Sequence, residues 1–335
     1  MPQRSTSAPN DIHDWLRQHD CLTVKLTQLV AAGLDRLPLP GGGRTLERWQ
    51  ALAAVAAHDL SLVKLFEGHT DALAILSELK SAPPPPKSLW GTWCAEPPDA
   101  RLEFTPRPDG SLRIKGTKSW CSGAATVTHA VVSGWNPSGE PCLAAVAMNQ
   151  PGISVTDVGW QAVGMAGSAS VDVKFDDAVG VSVGRPGDYT ARPGFWQGGI
   201  GVAACWFGGA TALADMTRVL SAETKDPHRL AHLGEIDVAM AGAAALLRQA
   251  AATIDAAPGA DTAALALRTR LAVEAAAEKV LRHAARAVGA SPLCRDSRFA
   301  RVAADLPVYL RQSHAERDLA ALGKHALSGD STWHL

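Results

Sequence analysis

Charge of one sign is missing from this sequence: 32 basic against 33 acidic side chains leave a formal net charge of −1. That balance gives no electrostatic footprint for nucleic acid or any other polyanion. Paired cysteines are missing too. Cys21, Cys94, Cys121, Cys142, Cys205 and Cys294 are scattered, with no C-x-x-C pair. They signal neither a metal site nor a disulfide framework, and they suit the reduced thiols of a cytoplasmic protein. No window offers about 18 uninterrupted apolar residues, so no membrane span is expected. The polar start Met1-Pro-Gln-Arg-Ser-Thr-Ser7 has no apolar segment of the secretory kind. Repeats are absent, as is low complexity beyond an alanine bias. What is present is apolar material, 47% of 335 residues, enough for two or three well-packed domains.

The order of patterns along the chain is helical, then extended, then helical. Residues 11–33 read as one helix, with Leu16, Leu22, Val24, Leu26 and Leu29 on one face and Gly33 as its stop. Gly41-Gly-Gly43 is a flexible turn, because no Lys-Ser/Thr follows to make a phosphate cradle. Thr45 is placed as an N-cap, with Glu47 in the first turn. Helical pattern then runs to Leu79 in two pieces, with a break near His58-Asp59. His69, among Leu65, Phe66, Leu73 and Leu76, reads as a packed and hydrogen-bonded histidine. Pro83-Pro-Pro-Pro86 is a stiff extended linker, since four prolines cannot continue a helix.

Short strands are expected at 101–105, 111–115, 128–134, 142–148 and 170–175, separated by turn residues, as in an antiparallel β-domain. Beyond Pro193 the candidate helices are 195–221, 229–256, 261–289 and 299–327, joined by short loops as in an antiparallel four-helix bundle. The expected class is therefore α+β, divided as an N-terminal helical domain (1–86), a central β-domain (87–190) and a C-terminal bundle (191–335).

One stretch stands out, Ser111-Leu-Arg-Ile-Lys-Gly-Thr-Lys-Ser-Trp-Cys-Ser-Gly-Ala124. Leu112 and Ile114 alternate with polar residues, the mark of a half-buried strand. Gly116 then predicts a bulge or a close backbone approach. Trp120 and Ser122 are two residues apart, which on a regular strand puts them on one face. An indole beside a hydroxyl suits a planar heteroaromatic cofactor, by stacking and by a hydrogen bond to its edge; a core tryptophan in a small β-domain is the alternative.

Lys115-Gly-Thr-Lys-Ser-Trp-Cys-Ser-Gly123 resembles the Gly-x-Lys-x-Trp-Ile-Ser/Thr-Asn/Gly signature of the acyl-CoA dehydrogenase superfamily. Trp93-Cys-Ala-Glu-Pro97 is similar to its Thr-Glu-Pro segment, and Gly164-Met-Ala-Gly-Ser-Ala-Ser170 with Val173-Lys-Phe-Asp176 is similar to a later strand. Gly184-Arg-Pro-Gly187 and Ala287-Val-Gly-Ala-Ser291 match turns that lead into, and lie within, its helical bundle. The resemblance implies helices, a central antiparallel β-barrel and a C-terminal four-helix bundle, with FAD as cofactor and a homodimer or homotetramer. It also implies that Trp120 lies against the flavin, that Ser122 bonds near flavin N5, and that Cys121, Cys94 and Ala95 line the flavin with main chain. Arg229 and Gly289, with Arg286 a weaker match, correspond to residues that reach FAD across a subunit interface.

The family's reaction is the α,β-oxidation of an acyl thioester, and it needs a carboxylate base. The two positions where the family carries that base fall at Gln312-Ser-His314 and Gln197-Gly-Gly199, and neither holds an acid. Glu316 and His314 are the candidate catalytic residues by proximity, His314 having a pKa suited to proton transfer. The Gly-Ser-Asp that follows Glu-Pro in the family is replaced by Pro98-Asp-Ala-Arg101, which weakens the case for a CoA carrier. Three readings remain open: an acyl-CoA dehydrogenase-like enzyme passing electrons to an acceptor flavoprotein; a flavin-dependent monooxygenase of the same fold, served by a reductase; and a binding or assembly subunit that has lost redox chemistry.

Overall fold

The computed structural model describes residues 12–20, 23–328 and 333; Cys21 and Leu22 lie outside that set. The elements are α1 (Ile12–Arg17), α2 (Leu26–Ala31), α3 (Thr45–His58), α4 (Leu60–Glu78), β1 (Trp90–Trp93), β2 (Leu102–Pro106), β3 (Leu112–Cys121), β4 (His129–Trp135), β5 (Pro141–Ala147) and β6 (Ile153–Val155). A 3₁₀ turn (Ala166–Ser168) precedes β7 (Val171–Val183), and then come α5 (Asp188–Ala191), α6 (Pro193–Leu220), α7 (Pro227–Ala256), α8 (Ala263–Val288), α9 (Ala290–Arg295), α10 (Ser297–Leu310) and α11 (Glu316–Leu327). They group into two compact units. The first holds the described residues up to Leu37 with Ser61–Gln161 and Ala166–Phe195; the second holds Pro38–Leu60, Ala162–Met165 and the chain from Trp196.

In the first unit, the helix expected over 11–33 is two short ones. Thr23 Oγ1 donates to the Asp20 carbonyl (3.1 Å), and Lys25 is extended, its N–H donating to the Gln28 side chain (2.7 Å). Local bonds of this kind offer the backbone an alternative to the helix. Strand pairings run from β4 through β2, β3, β7 and β5 and return to β4, with β1 added on β4 and β6 on β7. Most pairs are antiparallel. The β1–β4 and β2–β4 pairs are parallel, so the sheet is mixed rather than wholly antiparallel. Leu102, Phe104, Ile114, Val132, Val173 and Phe175 form its core.

Gly116 is the close approach expected of it: at φ +124°, a Cβ there would lie 2.3 Å from the Arg101 carbonyl oxygen, and the β3–β7 register shifts beside it. His69 is buried as expected. Its Nδ1 accepts the Trp90 N–H (3.1 Å), so Nε2 carries the hydrogen that faces Asp35 at 3.3 Å.

In the second unit, α3 packs on α7, and α7 on α8. Thr45 is the first residue of α3 rather than its cap. Its N–H and Oγ1–H both donate to the Asp255 carboxylate (3.0 and 2.6 Å), which does the capping from α7. α6 crosses α3 with backbone against backbone, for a Cβ on Gly208 would lie 2.2 Å from the Ala53 carbonyl oxygen. The helix expected over 299–327 breaks between α10 and α11. There Asp318 accepts the His314 N–H (3.2 Å), Ser313 Oγ accepts the Ala315 N–H (3.1 Å), and Ala315 takes φ +46°.

Among the described residues, two helices are long and apolar enough to cross a membrane by length and composition alone, although neither holds 18 uninterrupted apolar residues. Alanine and glycine with few charges raise the mean hydropathy of the most apolar 18-residue stretch to 1.2 in α6 and 1.4 in α7, and that stretch is 61% buried in α6 against 17% in α7.

Candidate functional site

Trp120 sits where β3 departs from regular geometry. Three residue steps on β3 (Lys118 to Cys121) oppose two on β7 (Val173 to Val171), and Trp120 takes up the extra residue at φ +59°. The bulge reverses the alternation. Cys121 turns into the core and Trp120 turns out, its side chain 51% exposed. The shared strand face expected for Trp120 and Ser122 is thus not what joins them, because the bulge breaks the period of two and Ser122 lies in the turn beyond the strand.

That turn is fixed from several sides. The Gly123 N–H donates to the Ser168 carbonyl (2.8 Å), and the Trp93 indole N–H donates to the Ser122 carbonyl (3.2 Å). Ser122 Oγ is 2.8 Å from Ser170 Oγ, which is 2.9 Å from Ser168 Oγ; all three serines are buried. An outward indole beside a hydroxyl at the end of a buried hydroxyl chain can offer a ring face and one polar contact.

The segment carrying Cys94 and Ala95 is held by the adjacent Glu96. One Glu96 oxygen accepts from Ser133 Oγ (2.7 Å) and faces Lys118 Nζ at 3.5 Å; the other accepts the Trp135 indole N–H (2.6 Å). Lys118 is fully buried and also donates to Ser133 Oγ and carbonyl (2.8 and 3.0 Å). Burial pulls its ammonium below the usual lysine range, against the pull of neighbours such as Glu96. Burial likewise pushes the Cys94 thiol up to about 11, and the Cys121 thiol upward as well. Both thiols therefore stay protonated near neutral pH. Ala95 is exposed beside them.

The remaining candidates lie in the second unit. Arg229, in the first turn of α7, donates to the Leu220 carbonyl (3.3 Å), while its buried Nε has no hydrogen-bond partner. Gly289 ends α8 at φ +70°, with open space around it, and Arg286 is exposed one turn earlier. A 3.0 Å bond between His232 and His283 ties the start of α7 to the last turns of α8, so Arg229 and Gly289 share one end of that helix pair. His314 lies between α10 and α11 and Glu316 is the first residue of α11, both exposed, with His314 Nδ1 3.4 Å from Asp318.

Sequence reasoning missed Arg270 on α8. It donates to the Gly199 carbonyl and to the Gln312 carbonyl (3.3 Å), and its guanidinium stacks over Trp206 at 4.9 Å. It therefore joins the two segments where the resemblance places a catalytic carboxylate, and it brings a cation there. The acid one turn away, Glu274, is buried and engaged by Arg311 at 2.7 Å. Gln197 is buried and donates to the Pro258 carbonyl (2.9 Å). Ser168 and Ser170 were within a motif quoted above, but nothing in the sequence showed that they reach Ser122.

This architecture is the acyl-CoA dehydrogenase-like fold. Solved structures that resemble the chain include two monooxygenases. Dibenzothiophene monooxygenase (TdsC) from Paenibacillus sp. A11-2 superposes with a TM-score of 0.82 at 22% identity, over 95% of this chain and 97% of its own. The same enzyme has been solved with FMN and indole. Methanesulfinate monooxygenase (MsuC) from Pseudomonas fluorescens gives 0.81 at 22%, over 96% and 97%. In sequence, the amino sugar nitrososynthase RubN8 of Streptomyces rubradiris is 43% identical over 77 residues, which is 21% of this chain and 18% of that protein. No family model matches the sequence.

Proposed function

We propose that this chain is a flavin-dependent monooxygenase that takes FMN, rather than the FAD of the first expectation, reduced by a separate reductase. Arg270 carries the reading. It joins two base positions, Gln197-Gly-Gly199 and Gln312-Ser-His314, that hold no acid of their own, and dehydrogenation of an acyl thioester depends on a carboxylate there. The FMN-bound relative supports the choice of cofactor. Reduced flavin supplies the activation of dioxygen, one atom of which goes to the substrate while the other leaves as water.

The residues fit such a group. Trp120 presents an open indole face beside the Ser122 hydroxyl, and Arg229 keeps a buried N–H without a partner, the kind of donor an anionic phosphate satisfies. Cys94 and Ala95 offer main chain to the ring. Arg229 is proposed to act from a second copy of the chain, as the resemblance implies. For the substrate we propose a nitrogen or sulfur centre, by analogy with the amino sugar and sulfur compounds named in the relatives.

The test is to titrate the purified protein with FMN, then supply reduced FMN and air. A yellow complex that consumes oxygen, and is not bleached anaerobically by acyl-CoA thioesters, is expected. A protein that binds no flavin, or one that acyl-CoA bleaches, overturns the proposal. Trp120→Ala is expected to weaken FMN binding about tenfold, the scale of one lost stacking contact.

A further inference from the structure

His232 on α7 and His283 on α8 meet through their Nδ1 atoms at 3.0 Å, with ring centroids 5.2 Å apart and the ring planes at 63°. His283 is 9% exposed and His232 is half-buried. A bond between two imidazole Nδ1 atoms needs a hydrogen on one and a lone pair on the other. With both rings neutral, the donor carries its hydrogen on Nδ1 and the acceptor carries its own on Nε2. A first added proton goes to the donor's Nε2, and the bond survives with a charge behind it. A second can go only to the acceptor's Nδ1, where it would face the hydrogen already there. The bond is therefore kept with no added proton or with one, and lost with two.

The surroundings decide which ring resists charging. Burial pulls His283 below the ordinary histidine value, Arg282, His232 and Arg286 pull the same way, and Glu235 on α7 opposes them. Glu235 is itself 3.6 Å from Lys279 of α8. Half-buried His232 is thus the ring that charges first, and His283 the one held neutral. Arg229 lies one turn before His232 on α7, and α8 ends at Gly289 beyond His283.

We infer that this histidine pair is an acid-released latch on the end of α7 and α8 that carries Arg229 and Gly289. With at most one added proton it ties the two helices; the second proton parts the rings and frees that end. What the latch controls rests on the flavin reading above: Arg229 is presented to the phosphate of FMN only while the latch is closed.

The sign of the pH dependence follows from the proton count. Below about pH 6.5 the unfolded chain takes two protons on these rings, whereas the latched protein takes one. Stability therefore falls with pH there, by about tenfold in the unfolding constant per pH unit, until the latch opens.

The experiment follows urea unfolding from pH 8 to pH 5 in the wild type, His232→Asn, His283→Asn and the double variant. Asparagine keeps a donor and an acceptor close to the Nδ1 position and takes no proton. Each single variant leaves one ring free to charge against the asparagine oxygen, so each is expected to remove the fall of about tenfold per pH unit, and the double variant to remove no more. A fall removed in His283→Asn alone belongs to the burial of that ring, and a fall unchanged in both singles belongs elsewhere; either result overturns the latch. Spectra of the wild type labelled with 15N-histidine serve should a variant not fold. The two rings are expected to titrate in separate steps at least one pH unit apart, and a shared step near the ordinary histidine value overturns the latch. FMN dissociation constants over the same pH range test the link to the cofactor. Below the second step, binding closes the latch and releases one proton, so the wild type is expected to lose about tenfold in affinity per pH unit and His232→Asn to lose less. Equal losses in the two overturn the link. A wild type that binds no FMN even at pH 8 removes the flavin reading, and the unfolding data then decide the latch alone.

Discussion

Lys118 shows how much a single side chain holds in the first unit. It is fully buried, and with Ser133 and Trp135 it fixes Glu96, which anchors the Cys94-Ala95 backbone. Lys118→Met keeps the length but leaves the Glu96 carboxylate without its counter-charge. A loss of about 2–3 kcal/mol in urea unfolding at neutral pH is expected, partly recovered by adding Glu96→Gln. The pH dependence has a definite sign. Burial lowers the folded-state pKa below the ordinary lysine value, so between the two the unfolded chain binds more protons. Stability from this group therefore rises as pH increases through that window, and Lys118→Met should flatten the rise. Urea titrations across alkaline pH check it. Both partners lay inside motifs visible in the sequence. Their pairing did not, since it depends on β3 and β4 bringing Lys118 and Ser133 to the same interior point.

Among the elements, the crossing of α6 over α3 is the tightest test of packing. Gly208→Ala sets a methyl 2.2 Å from the Ala53 carbonyl oxygen, and the two helices must separate. A loss of about 1–3 kcal/mol and a lower melting temperature are expected. Gly323→Ala within α11 meets no atom within 4 Å and is expected to stabilise by up to about 1 kcal/mol, which separates crowding from glycine flexibility. The long helices, the α3–α4 break and five of the strands were legible because their periodicity is their packing. Other features were not. The helix breaks beside Thr23 and at 311–315 are made by side chains bonding to nearby backbone, and β1 is buried almost throughout, so it shows no alternation. The Trp-Cys-Ser motif was legible as a motif, but its geometry turns on a bulge at Trp120 that no alternation rule contains. Arg270 was silent in the sequence, one of four arginines in an alanine-rich helix, because its meaning lies in which two carbonyls it meets.

For the molecule as a whole, the open face of α7 is the feature that calls for a partner. Its most apolar stretch is only 17% buried, and Leu230 (51% exposed) and Val238 (67% exposed) lie on that face with Gly234 and Ala241. We propose that a second copy covers it, which is also what would bring Arg229 to a shared site. Val238→Arg is expected to shift the oligomer toward monomer in light scattering, with weaker FMN binding alongside; an unchanged mass excludes this face. Arg270, finally, bears on how this fold can change its chemistry. An acid introduced there would not only reverse a charge but leave the Gly199 and Gln312 carbonyls without their donor. Carboxylate chemistry at this point is therefore closed to any single substitution at Arg270, because the backbone on both sides would have to find new bonds first.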